Sequence, residues 1–68
     1  MNIAIDLNGG DFSPIEVIEG IRIAIKRGYV LPEQILAFGN QEAIDIVGKI
    51  KDQSLQRINL RYALKLLV

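Results

Sequence analysis

The chain has 68 residues, enough for one small domain, and its eight basic and eight acidic side chains cancel. That balance excludes the basic footprint of a nucleic-acid binder. With neither cysteine nor histidine, the chain also excludes disulfides, Cys/His zinc sites and any catalytic device that needs its own thiol or imidazole. Half the residues are hydrophobic, which argues for a folded chain.

Ile3-Ala4-Ile5-Asp6-Leu7 is a short, nearly continuous apolar run rich in β-branched residues. It predicts a strand, and continuous apolarity predicts one covered on both faces. Ser13-Pro14-Ile15-Glu16 predicts a helix start, with Ser13 as N-cap, Pro14 at the first helical position and Glu16 completing a capping box. The helix is expected over 14–27. Ile15, Ile18, Ile21 and Ile25 form its apolar stripe, widened by Val17, Ile23 and Ala24, and Gly28 stops it. Gly20, inside the helix, is expected to allow close packing on the sheet despite its cost of about 1 kcal/mol.

Tyr29 to Pro32 reads as a connector and Gln34 to Phe38 as a second strand closed by Gly39-Asn40. Gln41 to Lys51 carries a second helical pattern, which Asp52-Gln53-Ser54 is expected to end. Arg57 to Tyr62 alternates as a third strand, and Ala63 to Val68 either prolongs it or begins another helix. The result is a β-α-β-α-β order, hence an α/β fold with a parallel three-stranded sheet, a Rossmann-like half, over a single domain of residues 1–68. With the strands in the order 3-2-1, right-handed crossovers place both helices on one face and leave the other bare. Met1 to Asp6 has no basic leader, no apolar run approaches the ~18 residues of a membrane span, and the lack of cysteine suits the cytoplasm.

Asn8-Gly9-Gly10-Asp11-Phe12-Ser13 joins the first strand to the first helix. Ligands of parallel α/β sheets sit at the carboxyl ends of the strands, and a helix N-terminus favours an anion. Gly9 and Gly10 allow positive φ and close approach of a ligand to the backbone. The same glycines are equally ordinary turn residues. The loop is neither G-x-G-x-x-G nor a Walker loop, and Asp11 would repel a phosphate unless it caps, pairs or binds a donor. The residues alone leave turn and ligand loop both open.

Ile3-Ala4-Ile5-Asp6, Gly9-Gly10-Asp11, Pro14 and Val17-Ile18-Glu19-Gly20 together resemble the amino terminus of the PlsX family. Ile35-Leu36-Ala37-Phe38-Gly39-Asn40 is similar to that family's second strand. The resemblance runs over nearly the whole chain but only about the first fifth of the family's length. It implies a phosphate acyltransferase, which moves a fatty acyl group from acyl carrier protein to inorganic phosphate to give acyl phosphate for phospholipid synthesis. It implies that Gly9, Gly10 and Asp11 bind substrate or phosphate, while Asp6 braces the loop.

On the same resemblance the chain is the start of a larger three-layer domain and has little activity alone. No catalytic residue, metal or cofactor is assigned to it. Acylated carrier protein and phosphate are the implied partners, a homodimer is allowed, and membrane association is at most peripheral. Leu7-Asn8 stands where the family has Ala-Met, and Asn40 where it has Asp. The alternatives are a small non-catalytic anion- or nucleotide-binding module and an interaction domain without a ligand.

Overall fold

The computed structural model describes residues 2–63. Its elements are β1 (Ile3–Asp6), α1 (Pro14–Lys26), a 3-10 turn (Pro32–Gln34), β2 (Ile35–Gly39), α2 (Gln41–Lys49), α3 (Gln53–Gln56) and β3 (Asn59–Tyr62). The strands form one open parallel sheet in the order β1-β2-β3. Register runs from Ile3 opposite Ile35 to Asp6 opposite Phe38, and from Leu36 opposite Asn59 to Gly39 opposite Tyr62. The architecture is α/β and compatible with a Rossmann-like half. The tail that could prolong β3 or begin a helix lies, beyond Ala63, outside the described residues.

Local chemistry explains the boundaries. Ser13 caps α1: its Oγ accepts from the Glu16 amide at 3.3 Å, and Glu16 Oε1 accepts from the Ser13 amide at 3.4 Å. Gly28, at φ 77°, ends the helix in the left-handed conformation that a residue with a Cβ rarely adopts. Asn40 caps α2 by accepting from the Ala43 amide at 2.9 Å. Asp52 does not stop a helix, as the sequence suggested; it starts one. Its carboxylate accepts from the Ser54 amide at 2.8 Å and caps the single turn of α3, so a residue that favours helix ends here favours a beginning.

The core lies on one face of the sheet. Ile35, Ala37 and Gly39 of β2 are buried there with Leu7, Ile18 and Ile21, and with Ala43, Val47, Leu55 and Ile58. Complete burial of an aliphatic side chain such as Ile18 or Leu55 contributes about 1.5–3 kcal/mol. Helices α1 and α2 pack against one another on that face. Nothing among the described residues covers the opposite face. It carries Ala4 and Asp6 of β1, the half-buried Leu36 and Phe38 of β2, and Asn59 and Arg61 of β3.

Coverage of β1 on both faces is therefore overturned. Ile3, Ile5 and Leu7 share the helix side, and Ile3 stays 41% exposed at the sheet edge. Ile15 and Ile23, expected in the stripe of α1, are exposed, because a 13-residue helix on a three-stranded sheet buries a narrower stripe than its sequence offers. Gly20 is also corrected. A Cβ built there meets no atom within 4 Å, so close packing is not what glycine provides at this position.

The polar side of α1 is fixed by one arginine. Arg22 donates to Glu19 at 2.8 Å and to Asp52 at 3.0 Å, tying α1 to the start of α3. The Arg22 hydrogen bond, with the Ser54 amide second, holds the Asp52 carboxyl below the ordinary carboxylate range. The bonds to Glu19 and then Asp52 raise the arginine. Arg57 and Glu33 form a further surface ion pair.

Candidate functional site

The glycine loop, residues 7–13, leaves the carboxyl end of β1 and enters α1. Leu7 continues the ladder, its amide donating to the Phe38 carbonyl at 2.7 Å, and its side chain is completely buried. The chain then turns over Asp6. The Asp6 carboxylate accepts from the Asn8 amide at 2.9 Å, and its carbonyl accepts from the Gly9 amide at 3.2 Å. Asp6 thus braces the loop, as the sequence suggested.

The two glycines do different work. A Cβ at Gly9 would stand 2.8 Å from the Asp6 carboxylate, so that position requires close approach. Gly10 has open space but a φ of 82°, so it requires the backbone freedom. Both demands belong to a turn. They also determine where the next amides point.

Gly10, Asp11 and Phe12 have backbone N–H groups with no hydrogen-bond partner among the described residues. In the first turn of α1 the capping box uses the amide of Glu16, and the Val17 amide donates to the Ser13 carbonyl at 3.1 Å. Ile15 keeps a free N–H. The donors left to an outside acceptor are those of Gly10, Asp11, Phe12 and Ile15, at a helix N-terminus where the dipole favours negative charge. Neither this loop nor the β2–α2 connection carries a Lys or Arg, and the exposed Asp11 carboxylate makes no hydrogen bond or ion pair. Asp11 is not the N-cap, a role Ser13 fills. Among the described residues no group of three or more Asp, Glu, His or Cys could hold a metal ion, and no helix is long and apolar enough to cross a membrane.

The structure brings a second loop to this one. Asn8 Oδ1 accepts from the backbone amide of Asn40 at 2.7 Å, and Asn40 in turn caps α2. The two positions that depart from the PlsX pattern are therefore in direct contact. That contact was missed from sequence. The available signal was an asparagine at the end of each of two successive strands.

The comparisons agree with this picture. Over 52 residues the chain is 36% identical to a phosphate acyltransferase of Petrotoga mobilis, covering 76% of this chain and 16% of that protein. It is similar to phosphate acyltransferases. A second such protein, from Aster yellows witches'-broom phytoplasma, is 41% identical over 44 residues, 65% of this chain and 12% of the relative. A third, from Desulforudis audaxviator, is 42% identical over 45 residues, 65% of this chain and 12% of the relative. The chain thus spans between 12% and 16% of the length of these relatives. The resemblance to PlsX read from the sequence holds. No protein-family model matches the chain, and no solved structure does.

Proposed function

We propose that residues 1–68 form the amino-terminal, phosphate-side part of a PlsX-type acyltransferase, in which a fatty acyl group passes from acyl carrier protein to inorganic phosphate. The observation that carries this reading is the run of free amides at Gly10, Asp11 and Phe12 on a Gly-Gly-Asp loop, in a chain similar to proteins named phosphate acyltransferases. Gly9 sets the close turn over Asp6. Gly10 aims the loop, and the following N–H groups accept the phosphate oxygens. Asp11 takes a donor from the second substrate or from elsewhere in a family-length chain.

The cation that a phosphate or acyl phosphate needs is absent from both strand-end loops. In this reading it comes from the remainder of a family-length chain, as do the groups that stabilise the transition state. The 68 residues, a single partial α/β domain of a larger three-layer fold, have little activity alone. They act in the cytoplasm in lipid synthesis, with acylated carrier protein and phosphate as partners and a second copy of the chain as a third.

Titration of the 68-residue chain with inorganic phosphate, followed by amide NMR over Gly9 to Glu16, tests the site. Saturable shifts at Gly10, Asp11, Phe12 and Ile15 are expected. A well-dispersed spectrum in which these resonances do not move would reduce the loop to a turn. Saturation by nucleotides but not by phosphate would favour the second reading, a small nucleotide-binding module, for which the absence of basic side chains at the loop is the less awkward fact.

A further inference from the structure

The two edges of the sheet are not alike. The β3 edge carries Asn59 and the charged Arg61, a common way of blocking an edge from further pairing. The β1 edge, Ile3–Asp6, has no Lys, Arg or Pro and no acidic residue before Asp6 at its end. Along its helix side runs an apolar groove of about 380 Å³ between β1 and α1, lined by Ile3, Ile5, Val17, Gly20, Ala24 and Tyr29 among others, with no charged side chain in its walls. Gly20 lies in this groove, and the space where its Cβ would stand is empty. The charges of α1 lie on another flank, where Glu19, Arg22 and Lys26 face Asp52.

We propose that this β1–α1 flank is a two-fold interface between two copies of the chain, in which the β1 strands pair antiparallel. The charge pattern selects this occupant. A wall without charge offers nothing to a charged partner and costs nothing against its own image. Parity agrees. A two-fold axis normal to the sheet keeps each face on its own side, so like-facing residues must meet. Centred on Ala4, that pairing sets Ile3 of one copy opposite Ile5 of the other, twice, and leaves Asp6 opposite the uncharged Asn2. The two α1 helices flank the axis, and the missing side chain at Gly20 lets them approach. The result is one continuous sheet of six strands whose outer edges are the two β3 strands bearing Arg61, so association closes at two copies. The proposal stands apart from the acyltransferase reading.

Sedimentation of the full chain from micromolar to millimolar concentration tests it, with Gly20→Lys and Leu36→Lys as paired variants. A monomer–dimer equilibrium is expected. Gly20→Lys, on an open helical site where lysine is the better helix former, keeps the circular-dichroism melt and raises the dimer dissociation constant at least about tenfold by burying an unpaired charge. Leu36→Lys, on the bare face, leaves the dimer in place. A chain that stays monomeric at every concentration overturns the proposal. So does an assembly larger than a dimer, or a dimer that Leu36→Lys abolishes and Gly20→Lys does not.

Discussion

The β1–α1 and β2–α2 connections perform the same task at neighbouring strand ends and solve it differently. The second has a single residue, Asn40, between strand and helix. Its amide goes to Asn8 and its side chain to Ala43, so the connection is a closed joint. The first takes seven residues and leaves a run of amides unpaired. Glycine occurs in both, for opposite ends. Gly39 lets α2 press onto the sheet; a Cβ there would lie 2.9 Å from the Ala43 Cβ and 3.2 Å from a Leu7 methyl. Gly10 lets the loop stand away from everything. Binding capacity in this fold follows the longer connection, because only a connection longer than its hydrogen bonds require has donors to spare.

The comparison can be broken most directly at Gly39. Gly39→Val drives two methyl groups into Ala43 and Leu7 and is expected to cost about 1–3 kcal/mol in urea unfolding, the range for overpacking. Next is the bond that joins the two connections. Asn8→Ala leaves the Asn40 amide, in a part-buried setting, without its acceptor; about 1–2 kcal/mol is expected, and the Asn40 amide should exchange faster with deuterium.

Gly10→Ala should cost about 1 kcal/mol for its left-handed backbone and should weaken phosphate-induced shifts in the NMR titration more than it lowers the melt. Gly20→Ala marks the contrast outside both connections. Helix propensity gains and no contact is disturbed, so thermal stability should rise by about 0.5–1 kcal/mol.

The smallest effect is expected at Asp52. Its folded pKa lies below its unfolded one, so its contribution is complete above the ordinary carboxylate range and fades as pH falls through the folded value. The melting temperatures of the native chain and Asp52→Asn should therefore converge in acid and separate near neutrality, asparagine keeping the cap but not the ion pair.

The strands, α1 and α2 were legible because each was signalled twice, by apolar pattern and by a start or stop residue. The capping box at Ser13 and Glu16 and the stop at Gly28 are local chemistry, which a sequence states openly. What depends on depth was not legible. The apolar stripe of α1 does not say that Ile15 and Ile23 stay exposed, since that is decided by how many strands lie beneath the helix. The alternation in β2 was invisible because both its faces are apolar while only one is covered. Asp52 was misread because one residue type serves both to end a helix and to cap the next, and only the following turn decides. At the candidate site, Gly9, Gly10 and Asp11 were readable as a group. The separation of Gly9, needed for space, from Gly10, needed for φ, required coordinates. So did the bond between Asn8 and Asn40, which spans 32 residues of chain.

The position of β2 bears on the timescales of opening. Both strand ladders pass through Ile35–Gly39, and neither β1 nor β3 has another partner among the described residues. Either outer strand can detach while the rest of the sheet persists. Release of β2 dismantles both ladders and exposes Ile35 and Ala37 together. The backbone amides of this short segment should therefore be the slowest in the chain to exchange with deuterium, and their exchange should report global unfolding.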